Sequence, residues 1–166
     1  MGCCCCKGSK GVVPDDAPAP PPQWDPNRPF FYFMSRSTVL ESTMPLPRMQ
    51  ELRDSGRLVK KQIDLAAYFG GGPDCKQILF VSQRSDRSGV PDVNGERLRA
   101  IQSHLKANPS LQWVWCDYNC MPQKNGDAIE YDGRTRIERS EFYWMLSAIT
   151  NLYLTTPAGG RAALNL

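Results

Sequence analysis

The 166-residue chain has a single histidine, His104, and this scarcity excludes much chemistry at the outset. A serine or cysteine nucleophile driven by imidazole could use only His104, which lies off the apolar stripe of its segment. Nothing in the order of residues sets it beside Cys116 or Cys120. Long apolar runs are also missing. None approaches the ~18–20 residues needed to span a bilayer, and the first ten residues lack the apolar stretch of a secretory signal, so the chain is expected on the cytoplasmic side. Charge of one sign is scarce as well. Lys and Arg number 20 against 17 Asp and Glu, a net charge of +3, without the concentrated basic stripe of a nucleic-acid binder. Nucleic acid is therefore not an expected partner. Paired-cysteine spacing is absent too. Four of the seven cysteines are consecutive, and Cys75, Cys116 and Cys120 lie on or beside apolar runs, which favours reduced thiols. Cys116 and Cys120 stand four apart rather than at Cys-x-x-Cys spacing, and a closed zinc site draws spaced ligand pairs from two segments. A redox or metal site there is the weaker reading, and no metal or resident cofactor is expected.

What is present begins at the amino terminus. Residues 1–10, MGCCCCKGSK, place Gly2 after the initiator, then Cys3, Cys4, Cys5 and Cys6, with Lys7 and Lys10 following. This is the pattern of a lipid anchor: myristate on Gly2, with palmitate on the thiols, because one myristoyl chain alone binds membranes only marginally, at about 10⁴ M⁻¹. The implied location is the cytoplasmic face of a membrane. Residues 11–29 are proline-rich without hydrophobic period and read as a linker. Residues 30–157 read as one α/β domain, and residues 158–166, after Pro157, Gly159 and Gly160, as a disordered tail too short to add an element.

Within the domain, Phe30–Phe33 is expected to pack the linker's end onto the body. Pro47 opens a short helix carrying Met49 and Leu52 and ending at Gly56, and a second short helix is expected over Gln62–Phe69. Gly70–Gly72 is a turn, not a phosphate cradle, since it precedes a strand. Ile78–Ser82 reads as a strand, Glu96–Ala107 as a helix with Asn94 as its N-cap and Leu98, Ile101 and Leu105 on one face. Trp113–Cys116 reads as a second strand. The last helix opens in RTRIERSEFYWML, with Phe142, Met145, Leu146 and Ile149 as its core face. Leu152–Leu154 either ends that helix or starts a third strand. Strand, helix, strand is the parallel crossover unit, whose ligands sit at the carboxyl ends of the strands. That rule nominates Ser82, Arg84, Asp117, Asn119, Gln123 and Arg136 as a binding rim. Asp117 is expected to accept backbone N–H bonds from the loop that follows it.

In this order, the blocks ILFVSQRSD, PDVNGERLRAIQ, VWCDYNCMPQ and RTRIERSEFYWML resemble those of heterokaryon-incompatibility (HET) domains of the protist or algal type, relatives of Toll/interleukin-receptor (TIR) domains. The likeness spans about residues 45–154. It implies a small flavodoxin-like parallel sheet flanked by helices and truncated at its carboxyl end, and a signalling module that assembles with HET/TIR-like domains of its own or another chain. Some TIR relatives cleave nicotinamide from NAD with a glutamate on the helix after the third strand. Here no acid follows Glu141, so a non-catalytic module is the first expectation. An NAD-cleaving hydrolase using Asp117 or Glu138, with NAD as ligand, is the alternative, and a non-functional gene fragment the second. The likeness departs from the algal type at Ser82-Gln83-Arg84-Ser85, where Ser-His-Arg-Trp is common.

Overall fold

The computed structural model describes residues 25, 27–70, 72, 76–82, 92–124, 132–154 and 163–165, with only the backbone described for residues 69, 82, 151–154 and 163–165. Its centre is a sheet of β1 (Phe30–Ser35), β2 (Leu58–Gln62), β3 (Ile78–Ser82), β4 (Trp113–Cys116) and β5 (Ala163–Asn165), in the order β2-β1-β4-β3-β5. Helices flank it, so the fold is mixed α/β.

The sheet is mixed, not parallel throughout as the crossover pattern predicts. β3 is parallel to β4 and to β5, but β1 runs antiparallel to both β2 and β4. The difference comes from residues 30–35, which sequence pattern assigns only to packing. FFYFM is buried at every position, so the strand shows no alternation of polar and apolar residues, and a run buried on both faces cannot be identified by period. Its aromatic side chains have strong strand preference. β2, LVKKQ, is missed for the opposite reason: it is an edge strand with two lysines and little apolar signal. Consequently the short helix expected over Gln62–Phe69 is confined to α3 (Leu65–Phe69), with Asp64 as its cap. β5 corrects another expectation, because Ala163–Asn165 adds an element where only a tail is predicted.

Several helix starts have identifiable chemistry. α1 (Arg36–Leu40) is capped by Ser35 Oγ, which accepts from Thr38 N at 3.1 Å. α2 (Met49–Asp54) follows Pro47 as predicted and stops before Gly56, whose φ of +70° suits glycine. α4 (Glu96–Ala107) buries Leu98, Ile101 and Leu105 as predicted, but Asn94 is not its N-cap. Gly95, at φ +68°, takes that position, and the carboxylate of Asp92 reaches over it to accept from Arg97 N at 3.1 Å and Leu98 N at 3.0 Å. One α4 side chain, Gln102, donates through Nε2 to the carbonyls of Val39, Leu40 and Ser42, satisfying the end of α1 against which α4 packs. After β4 comes the single turn α5 (Asp117–Cys120), then α6 (Arg136–Leu154). α6 continues through Leu152–Leu154 as helix and buries Met145 and Ala148, with Phe142 and Ile149 partly buried. Leu146, predicted to face the core, is instead 43% exposed.

Both faces of β1 are covered. Phe31 and Phe33 on one face and Phe30, Tyr32 and Met34 on the other all belong to one core with Leu79, Val81, Val114 and Trp115. The even-numbered face of β1 is the one on which α6 rests, because Tyr32 of β1 and Lys60 of β2, paired across the ladder, both reach Glu141 of α6.

Candidate functional site

The inner face of α6 begins polar and becomes apolar. Glu138 and Glu141 are buried ahead of Met145 and Ala148, spaced three and four apart as one helical face requires, and Arg134, two residues before the helix, is buried as well. A buried charge is stable only with partners, and each of these has them. Glu138 Oε1 takes Arg53 Nη1 of α2 at 2.9 Å, while Oε2 accepts from Thr135 N at 2.8 Å. Thr135 Oγ1 in return accepts from Glu138 N at 3.2 Å, completing a reciprocal capping box at the start of α6. Burial opposes ionisation of Glu138, but the Thr135 N–H and the Arg53 guanidinium outweigh it, and its pKa is lowered. Glu141 Oε1 accepts from Tyr32 OH at 3.0 Å and from Lys60 Nζ at 3.1 Å, and the same ammonium lies 3.7 Å above the Phe30 ring. Burial first, and the neighbouring Glu141 charge second, push the Tyr32 phenol well above its ordinary range, so it remains a donor. Arg134 forks onto both oxygens of Asp132, donates to Pro122 O at 3.4 Å, and stacks 4.2 Å from the Phe142 ring. The Arg134 hydrogen bond holds the Asp132 carboxyl below its usual range.

Of the predicted rim, the side chains of Asp117, Asn119, Gln123 and Arg136 are described. Asp117 is exposed, and its Oδ1 accepts from Tyr118 N at 2.7 Å and from the Cys116 thiol at 3.5 Å. Its hold on the following turn is therefore the one short N–H bond within its own helix start. Asn119 is buried and faces inward, donating from Nδ2 to Leu46 O at 3.2 Å and Pro47 O at 2.7 Å. Gln123 folds back, with Nε2 on Asp117 O and Met121 O, and its backbone exchanges bonds with the Gln50 side chain at 2.6 Å and 3.3 Å. The side-chain amides of Asn119 and Gln50 thus tie the turn after β4 to α2 and the segment leading into it, while that of Gln123 closes the turn on itself. Arg136 is exposed on the first turn of α6. Arg84, the side chain of Ser82 and the acylation candidates Gly2 and Cys3–Cys6 lie outside what is described.

Cys116 and Cys120 are free and buried. Burial, with the Asp117 charge second, raises the Cys116 thiol far above its ordinary value, and burial pushes Cys120 up to about 12. Burial thus favours the protonated thiol at both positions, not the thiolate that a nucleophile requires. Among the described residues there is no group of three or more His, Cys, Asp and Glu placed to hold a metal ion. His104 is half-buried, and the structure brings it near neither thiol by any described bond.

The participants that sequence reasoning missed are Tyr32, Arg53, Lys60 and Glu141. Thr135 and Glu138 carry a legible signal, a Thr followed three residues later by Glu at a helix start. The others become partners only across 81–109 residues of sequence, which no local pattern shows. Compared with protein-family models, with curated proteins and with solved structures, the chain matches none.

Proposed function

We propose that the chain is a membrane-anchored, non-catalytic interaction module, its α/β domain of the flavodoxin-like HET/TIR kind and its amino terminus the lipid anchor. One observation supports the non-catalytic part at Glu138: both of its oxygens are committed, one to Arg53 and one to the Thr135 N–H. Stabilising a cationic ribose would require a carboxylate free to face it. Glu141 is likewise shared between Tyr32 and Lys60. The consecutive β3, α4 and β4 with their parallel pairing support the family reading, as does the order of the four sequence blocks.

The anchor is tested by fractionating cells that myristoylate their proteins. Wild type should sediment with membranes, Gly2→Ala should become soluble, and replacing Cys3–Cys6 together by serine should leave weak attachment. Wild-type protein found wholly in the soluble fraction overturns the anchor. The non-catalytic reading is tested with purified protein on lipid vesicles, which should turn over no NAD above buffer. Turnover abolished by Glu138→Gln or Asp117→Asn overturns that reading.

A further inference from the structure

β2 lies at the end of the sheet, and its outer side has no strand beside it among the described residues. Which backbone groups it presents follows from the ladder. Ile63 N donates to Pro29 O at 2.8 Å and Leu65 N to Asn27 O at 3.1 Å, continuing the β1–β2 register in which Phe31 opposes Lys61 and Phe33 opposes Val59. Antiparallel pairs alternate between hydrogen-bonded and non-hydrogen-bonded. Residues 59, 61 and 63 therefore turn their N–H and C=O toward β1, and Leu58, Lys60 and Gln62 turn theirs outward. These outward groups form an unpaired edge in a strand with no proline and an uninterrupted register.

Edge strands are commonly guarded by lysines standing over the open side. Here both lysines are drawn inward. Lys60 Nζ is held by Glu141 at 3.1 Å and by the Phe30 ring, and Lys61 Nζ sits 3.7 Å above the Trp113 ring. Lys60 and Glu141 form a locally neutral pair, so the charge that would repel a like strand is already compensated.

We infer that this edge pairs with β2 of a second copy of the chain, antiparallel about a two-fold axis at Lys60. The inference rests on the interaction-module reading and names its partner. The sequence fits that axis. Outward groups at 58, 60 and 62 meet as the pairs 58 with 62, 60 with 60 and 62 with 58, all hydrogen-bonded positions, giving about six N–H···O bonds. Between them, Val59 of each copy lies opposite Lys61 of the other at the closer, non-hydrogen-bonded spacing. Val59 is 41% exposed, so its isopropyl group is available for cross-strand contact at that closer spacing. The two sheets become one continuous sheet. A membrane anchor would raise the effective concentration for so short an interface.

The test uses the full chain made without acylation and kept reduced, so that its outcome is independent of the anchor. Mass is followed by sedimentation from about 1 µM to about 1 mM, a range that spans weak association, together with amide hydrogen exchange. A concentration-dependent dimer is expected, with the amides of 58, 60 and 62 gaining protection as it forms and those of 59, 61 and 63 protected throughout. Val59→Lys restores a lysine that nothing holds inward on each copy of the edge and should weaken association about tenfold, whereas Val59→Thr keeps a β-branched residue without charge and should leave association unchanged. Exchange protection at Leu79, Phe80, Val114 and Trp115 confirms that each variant is folded. A protein monomeric at about 1 mM, a dimer whose 58, 60 and 62 amides stay unprotected, or folded Val59→Lys and Val59→Thr variants that associate equally tightly each overturn the inference.

Discussion

Replacing Glu138 by alanine removes two interactions whose sizes follow from the structure. The first is the acceptor for the Thr135 N–H at 2.8 Å, one half of the capping box, and loss of a cap costs about 1 kcal/mol. The second is the ion pair with Arg53 at 2.9 Å. Arg53 is 34% exposed and keeps Asp54 at 2.8 Å, so solvent screening limits this contribution to at most about 1 kcal/mol. The sum is about 2 kcal/mol, a fall in Tm of roughly 4–8 °C for a chain of this size. Glu138→Gln keeps the volume and an oxygen for Thr135 and should lose only the ion-pair share. The pH dependence separates the two effects. Because the folded-state pKa of Glu138 lies below its ordinary value of 4.5, the native state binds fewer protons in the acid range. The stabilisation is then fully present above about pH 4.5 and is lost as pH falls through the folded value. Thermal unfolding between pH 2.5 and 7 should show wild type losing stability to acid more steeply than Glu138→Gln. Equal Tm for wild type and Glu138→Ala at pH 7, with superimposable acid limbs, would refute the assignment of Glu138 to the docking of α6.

Tyr32 has the opposite sign. Its folded pKa is raised above the ordinary value of 10.0, so the native state holds its proton longer than the unfolded chain, and stability should fall as pH rises past 10. Tyr32→Phe should remove that slope in alkaline unfolding and cost about 1–2 kcal/mol at pH 7, through the lost bond to Glu141. Asp117 and Asn119 should contrast sharply. Asp117→Ala, at an exposed side chain with one short backbone bond, should shift stability by less than about 1 kcal/mol, while Asn119→Ala leaves the Leu46 and Pro47 carbonyls without their donor and should cost about 1–3 kcal/mol. Denaturant midpoints compare the pair, and equal effects would contradict the geometry.

The elements legible in sequence are those whose pattern is local. α4 is bounded by its periodic leucines and isoleucine, α2 by Pro47 and Gly56, and β3 and β4 by apolar runs that end in polar residues. β1 escaped because complete burial erases alternation, and β2 because Lys60 and Lys61 resemble a solvated segment while one caps a phenylalanine and the other a tryptophan ring. For the candidate site, residue type was a better guide than role. Asn119, Gln123 and Glu138 matter to the fold, but as internal clamps, since polar residues after a strand look the same whether they turn toward a ligand or toward a neighbouring carbonyl.

The placement of β1 in the sheet sets the order in which the domain can be completed during synthesis. β1 opens the domain, yet its neighbours are β2, about thirty residues later, and β4, about eighty residues later, and its Tyr32 waits for Glu141, 109 residues on. At about 5–20 residues per second, the ribosome leaves β1 paired on one side for several seconds before β4 exists, and longer before α6 can cover its other face. During that interval the Phe30–Met34 run, wholly buried in the finished domain, faces water or whatever holds the nascent chain. A strand buried almost throughout its length is thus the first of the described strands to emerge and among the last to be enclosed.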